Sequence, residues 1–401
     1  MNLKTKIATT VLMLMLVNEA FAGAWVQRAN FGGVGRHRAS AFSIQDKGYM
    51  GLGHINSVSN ILYEDIWEYD PASDTWTQKA NFGGGARYHA SAFTIGNKAY
   101  CGTGRDNFSL YLDDFWEYDP LTNVWTQVAD FGGTARSGAA SFTVDGKGYV
   151  GSGTVSSSGS NDFYEYNATT DVWTSIATFP GNQRNTGVAF SIDNKGYFGT
   201  ATGTYGAGKD FWEYKPAVDQ WIQRADVGTL VRAGAAGFSL KGKGYILIGT
   251  DWGTGENFKD VWEYNPLDNS WRQLNDFPGS KRRFMECFVI GDVAYCGIGT
   301  NGINFSDFWS FDANSVGMDE VEARTVSVFP NPVVDKIYFD FKQESNESFV
   351  VIYDLFGKKV MEDQLNDDQS VSCNELMQGT YIYQLYEGQE YISGGKFVVV
   401  K

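Results

Sequence analysis

Aromatic and polar positions return along this chain in a fixed order with a spacing near 49 residues. Trp25, Trp76, Trp125, Trp173, Trp221 and Trp271 are 51, 49, 48, 48 and 50 residues apart. Arg36, Arg87, Arg136, Arg184, Arg232 and Arg282 repeat at the same intervals, and a Phe stands six residues after each, from Phe42 to Phe288. A Tyr column follows (Tyr49, Tyr100, Tyr149, Tyr197, Tyr245, Tyr295), then Asp-x-Trp at Asp65, Asp114, Asp162, Asp210, Asp260 and Asp307, with Tyr164 in place of Trp in the third unit. Self-similarity at this period must be settled before any fold is argued, because each unit is then one supersecondary element.

Within a unit the pattern predicts four short strands, a to d. Strand a runs from the Arg to Ile44 or its equivalent. It turns back through a two-residue hairpin such as Gly96-Asn97, Asp145-Gly146, Asp193-Asn194 or Gly291-Asp292. Those residues tolerate the positive φ of a tight turn, and the turn sets Phe42 opposite Tyr49 as a cross-strand pair. Strand b reads Lys-x-Tyr-x-Gly-x-Gly in most units, strand c Asp-x-Trp-Glu-Tyr, and strand d starts at the column Trp. Strand a is poor in bulk before its Phe, as in Ala39-Ser-Ala41, Ala90-Ser-Ala92 and Ala235-Ala-Gly237. Strands that converge on a common axis need small side chains there.

The first unit opens at its strand d and the last stops after its strand c. The leading strand is therefore expected to complete the sixth sheet and leave no exposed edge. The fold class that follows is all-β, a six-bladed propeller over 23–312 closed by its N-terminal strand. From about Thr325 the Trp residues and the period vanish while apolar and polar residues still alternate. That segment, 325–401, is expected to be a small β-sandwich joined by a linker at 313–324. Residues 1–22 read as a signal peptide: Lys4 and Lys6, an apolar run Ile7–Val17, and Ala20-Phe-Ala22.

Composition narrows the function. With 43% apolar residues the chain can bury a large core, and a formal charge of −15 argues against nucleic-acid or anionic-membrane binding. No stretch is long and apolar enough to span a bilayer. Three His and four Cys without a CxxC pair make a metal site hard to assemble, so no metal or cofactor is expected.

The repeat resembles the kelch family of β-propellers over about 23–313, through Tyr-x-Gly-x-Gly, Asp-x-Trp-Glu-Tyr and the later Trp. It departs in separating its glycines, as in Gly51-Leu-Gly53, where the family carries a doublet. Val328-Phe-Pro-Asn-Pro332, Val351–Val360, Leu376–Ile382 and Lys396–Lys401 together resemble the C-terminal sorting domain of the type IX secretion system. That resemblance implies an outer-membrane translocon as partner, release to or beyond the cell surface, and a Gram-negative bacterium of the Bacteroidetes type. The kelch resemblance also extends to copper oxidases of the galactose oxidase type; they need two His and two Tyr at copper, and His37, His54 and His89, all in the first two units, offer no such arrangement. The Asp-box of sialidases is absent.

Alternating strand direction puts the d–a and b–c loops on one end of the ring. The six Arg, the six Asp and the variable loop aromatics share that end, and variable loops on a rigid scaffold are where binding usually lives. One expectation is that Arg36, Arg87, Arg136, Arg184, Arg232 and Arg282 hold an anionic ligand such as a uronic or sialic acid, since guanidinium matches carboxylate. The competing expectation, which the sixfold repetition favours, is that each Arg pairs with one of the Asp residues. Trp252, the one Trp outside the repeat columns, and Tyr111 and Tyr205 are candidates to stack on a sugar, against self-packing of the loops. Glu286 is charged where other units have small residues; it reads as a candidate proton-transfer group or, more simply, as a partner of Arg283 or a solvated channel residue. Cys287 and Cys296 face each other across a hairpin, so a disulfide and two thiols both fit. The reading is a monomeric secreted or surface-bound binding propeller for a glycan or protein ligand, with no catalytic residue assigned. The alternative is an epimerase or lyase acting on an acidic sugar.

Overall fold

The computed structural model describes residues 24–55, 60–203, 206–313, 326–341, 348–355, 358–387 and 390–401. The expected signal peptide, nearly all of the expected linker, and Tyr205 lie outside these residues. The chain divides into two compact units, one ending at Gly317 and one starting at Met318.

In the first unit the described residues form six four-stranded antiparallel sheets. Five are meanders of consecutive strands, as in Ser40–Ile44, Lys47–Gly51, Ile66–Asp70 and Thr75–Gln78. In the sixth, Ala24–Arg28 pairs with Phe308–Asp312 in the register Ala24↔Asp312 to Arg28↔Phe308. The two ends of the repeat region thus meet in one sheet. The hairpins form where expected: Ile95 pairs with Lys98 around Gly96-Asn97, and Val144 with Lys147 around Asp145-Gly146. Phe42 and Tyr49 pair and stack at 5.2 Å.

Successive sheets lock through a repeated close approach. A Cβ on Gly148, Gly196 or Gly244 would stand within 2.5 Å of Phe93, Phe142 or Phe190 in the preceding sheet. The same relation joins the last sheet to the first, where a Cβ on Gly48 would stand 1.9 Å from the Phe288 ring. Innermost strands follow one another around an axis, and Ser40–Ile44 packs against both Ser91–Ile95 and Glu286–Ile290. Tyr hydroxyls tie strand b to strand c: Tyr49 donates to Glu68 at 2.6 Å and Tyr149 to Glu165 at 2.6 Å. Trp76 donates its indole N–H to the carbonyl of Ala29, and Trp221 to that of Ala177. In four of the six units (Trp76, Trp173, Trp221 and Trp271) the column Trp thus fastens the loop that leads into its own sheet.

Cys287 and Cys296 are cross-strand neighbours joined as a disulfide, while Cys101 and Cys373 are buried thiols. The second unit has a three-stranded sheet (Ser327–Phe329, Lys336–Asp340, Ser370–Ser372) and a four-stranded sheet built from Ser348–Tyr353, Lys359–Gln364, Gly379–Glu387 and Glu390–Val399. They share a core of Ile337, Phe339, Val350, Ile352, Leu385 and Phe397. Among the described residues no helix is long and apolar enough to cross a membrane.

Candidate functional site

The six column arginines come first, because they carry the strongest pattern. Every one is buried, with side-chain exposure between 0 and 6%. Each forms a two-pronged pair with the Asp of its own unit. Arg136 Nη1 donates to Asp162 Oδ1 at 2.6 Å and Nη2 to Oδ2 at 2.8 Å. Nη1 also donates to the carbonyl of Ser152 at 2.9 Å, and its counterparts do the same at Leu52, Thr103, Thr200, Ile248 and Ile298. The indole of the Asp-x-Trp motif supplies a further donor in five units, as from Trp116 to Asp114. In the third unit, where Tyr164 replaces Trp, the Ser160 hydroxyl donates to Asp162 instead. Burial alone would raise the Asp162 carboxyl; the hydrogen bonds from Arg136 and Ser160 outweigh it and hold it below the usual carboxylate range.

Several loop aromatics close over these pairs. Arg36 lies 3.8 Å from the Tyr63 ring centroid, Arg282 4.0 Å from Phe305, and Arg232 5.2 Å from Phe258. These rings cover guanidinium groups, so their faces are already occupied. Phe108, by contrast, is 83% exposed.

Two cavities lie on the axis. The inner one, about 200 Å³, is lined by the small residues of the innermost strands, with Glu286 and Cys287 among them. The outer one, about 330 Å³, shares His89, Gly138, Thr186 and Phe284 with the first, and so forms its mouth. Its other walls include Arg38, Tyr88, Arg105, Tyr111 and Trp252. None of the six column arginines lines either cavity. The candidate residues Trp252 and Tyr111 meet at the mouth, although they come from different sheets; Trp252 is 44% exposed.

The mouth is built on three repeat columns. The residue after each column Arg pairs with the residue after the second strand-b glycine, or after Ala201 in the fourth unit, as in His37 with His54, Tyr88 with Arg105 and Arg283 with Thr300. The next residue in each unit takes a left-handed backbone: Arg38 (φ 55°), His89 (56°), Gly138 (64°), Thr186 (55°), Gly234 (57°) and Phe284 (56°). Backbone hydrogen bonds link this column from sheet to sheet, His89 N–H to Arg38 carbonyl, Gly138 to His89, Thr186 to Gly138, Gly234 to Thr186, and Phe284 to Gly234. Glycine suits such a conformation best, yet four of the six positions carry side chains.

The three histidines gather here. His37 and His54 rings are 4.4 Å apart, and His54 stacks on Tyr88 at 4.3 Å. Burial, followed by the positive charge around it, lowers His37 to about 3, and burial with the charge of Arg38 lowers His54 to about 4. His89 is likewise pushed well down by burial and then by Arg38. All three are neutral at pH 7, so the mouth's positive charge resides on arginine. Glu286 faces the channel with no hydrogen bond or ion pair among the described residues, and burial pushes its carboxyl up to about 8. Arg283, its expected partner, instead donates to Asn257 at 3.0 Å and lies 4.9 Å from the Trp252 ring. Among the described residues no cluster of His, Cys, Asp and Glu could hold a metal ion.

Sheets of four antiparallel strands set around an axis, with a channel between their inner strands and a mouth on the loop end, define a β-propeller. Residues 86–132 match the Kelch motif, and residues 327–401 match the secretion system C-terminal sorting domain. The solved structure of YjhT, a kelch-type propeller, is similar with a TM-score of 0.60 at 16% identity, over 71% of this chain and 97% of that one. No curated protein matches this chain in sequence. The chain is a β-propeller with a Kelch motif at 86–132 and a type IX sorting tail at 327–401, and that tail directs it to the cell surface or outside.

Proposed function

We propose that this is a secreted binding propeller that recognises a glycan or protein ligand through the loop end of its channel, and that it does so as a monomer. In this reading the six sheets of 23–312 are the blades of one closed ring. Residues 1–22 are a signal peptide, 313–324 a linker, and 325–401 a β-sandwich read by the secretion machinery.

The observation that carries the reading is the mouth cavity. It is open, it is walled by Trp252, Tyr111 and Tyr88, and it holds polar groups that the fold does not use. Its size falls in the range of small-ligand sites, and its lining mixes aromatic faces with convergent polar groups, as sugar recognition requires. The column arginines support the same reading from the other side: neutralised by their own Asp and out of reach of the cavity, they serve the scaffold. A glycan and peptide array probed with the mature chain tests it. Specific binding that falls at least tenfold in Trp252→Ala supports the reading, and an array with no specific signal contradicts it.

Glu286 favours a second reading, an epimerase or lyase acting on an acidic sugar. A carboxylic acid with no hydrogen-bond or ion-pair partner among the described residues, its pKa raised by burial to about 8 beside a channel, has the properties of a general acid or base. Turnover of an array-positive acidic sugar, abolished in Glu286→Gln, would support it.

A further inference from the structure

Among the arginines outside the repeated column, Arg38, Arg105 and Arg283 stand on the columns that build the mouth. Each stands on a different mouth column, and each replaces something neutral elsewhere in its column. Arg283 corresponds to Ser137, Asn185 and Ala233, Arg105 to Thr154, Thr202, Thr250 and Thr300, and Arg38 to Gly138, Thr186 and Gly234. A role repeated in every sheet is architectural; these three belong to one place.

None of the three has an acidic partner among the described residues. Arg38 donates only to His54 Nε2, at 3.4 Å, Arg283 to Asn257, and Arg105 to the carbonyl of Ser109 at 3.0 Å. The Nε–H groups of Arg38 and Arg283 are buried without any hydrogen-bond acceptor. A buried donor left unmet costs free energy, which an arriving acceptor would recover. The acids nearby in sequence are committed elsewhere: Asp106 accepts from the backbone of Phe108 and Leu110, Asp251 from Gly253, and Glu256 from Lys281. No carboxylate lines the mouth cavity.

The side chains form a continuous array. Arg38 lies 4.6 Å from the Phe284 ring, Phe284 lies 6.3 Å from Trp252, and Arg283 lies 4.9 Å from Trp252. On the other side, Arg38 is 5.8 Å from Tyr88, whose strand position pairs with Arg105, itself 5.1 Å from Tyr111. Three cations packed together repel one another and are tolerated here on aromatic faces rather than on carboxylates. That arrangement leaves their charge available. On a chain with a formal charge of −15, it makes a local attractor for anions in a surface that otherwise repels them.

Resting on the binding reading above, we propose that Arg38 and Arg105, which line the cavity, form an oxyanion subsite at the channel mouth, that Arg283, packed on Trp252 outside the lining, adds to its positive field, and that the ligand is a sugar residue bearing a carboxylate or sulfate. Planar guanidinium matches the geometry of an oxyanion, and among the described residues Nη2 of Arg38 and both Nη groups of Arg105 make no hydrogen bond. Trp252 and Tyr111 supply faces for the ring that carries it. A cavity of about 330 Å³ accommodates a single sugar residue rather than a long chain.

The backbone supplies a clean test. Arg38 sits at φ 55°, where Gly138 and Gly234 stand in other sheets, so Arg38→Gly removes the charge while easing the backbone. The full chain is titrated by calorimetry with glucuronate, glucose 6-sulfate and glucose, in wild type, Arg38→Gly and Arg105→Gln. The expected result is that at least one anionic sugar binds tenfold or more tighter than glucose, weakens as salt is raised, and loses that advantage in both variants while their melting temperatures hold. Glucuronate ahead of the sulfate identifies a carboxylate ligand, and the reverse order a sulfated one. Equal affinity for all three sugars, or variants that bind like wild type, overturns the subsite. If array ligands are lost in Trp252→Ala but kept in Arg38→Gly, the subsite fails and the binding propeller stands; if no array ligand exists, the parent reading fails with it.

Discussion

The ring of Phe288, in the last sheet, occupies the space that a side chain on Gly48, in the first, would need. The contact is the one made by Phe93 on Gly148, Phe142 on Gly196 and Phe190 on Gly244. The seam between the ends of the repeat region is therefore packed like the interior joints. Gly48→Val forces either the ring or the strand to move. Overpacking of this kind costs about 1–3 kcal/mol, so its melting temperature should fall by several degrees. A variant that melts with the wild type would mean the seam is not packed this way.

Glu286 makes a prediction about pH. Its carboxyl is raised from 4.5 to about 8 in the folded chain, so between those values the folded state holds a proton that the unfolded state has released. Stability from this group is complete below about 4.5 and is lost as pH rises through 8. Glu286→Gln cannot lose a proton, so its melting temperature should gain on that of the wild type from pH 5 to pH 8. A constant difference across that range would show an ordinary carboxyl.

The three histidines act at the other end. His37 and His54 are lowered to about 3 and 4, and His89 lies well below its ordinary value. The unfolded chain binds their protons first, so stability falls as pH drops below 6.5 toward those values. Replacing His54 with Gln should flatten part of that acid slope in a melting series from pH 7 to 4. An unchanged slope would place a charged imidazole in the mouth.

The disulfide has a direct readout. Thiol titration in denaturant without reductant should find two thiols per chain, Cys101 and Cys373, and four after reduction. Four at the outset would mean that Cys287 and Cys296 are not bonded in the folded protein.

The parts of this molecule that recur were legible in its sequence, because a column of identical residues at a fixed period reveals its neighbours by register alone. Phe42 opposite Tyr49 follows from spacing and strand alternation, and Arg136 beside Asp162 was one of the two expectations that spacing allowed. Two alternatives for the column arginines fitted the same pattern, and the geometry puts their guanidinium groups on Asp and carbonyl oxygens. The mouth was harder to see. Arg38, Arg105 and Arg283 lie on three columns whose other members vary, from Gly, Ala and Thr to His, Tyr and Phe, so no periodicity marks them. Their convergence depends on the first, second and last sheets lying side by side. One signal was present, for an Arg in a column that holds Gly twice is a departure from the repeat. Trp252 was found by the same logic, as the Trp that fits no column.

The account separates arginines that hold the scaffold from arginines that serve the mouth, and the melting curve of Arg136→Ala tests that division most directly. Removing one partner of a buried pair costs about 3 kcal/mol or more, and Asp162 would lose both prongs of its pair at once. The account predicts a melting temperature lowered by several degrees, with ligand binding retained wherever the chain remains folded. Unchanged melting together with lost binding would contradict it and move the site onto the repeated arginines.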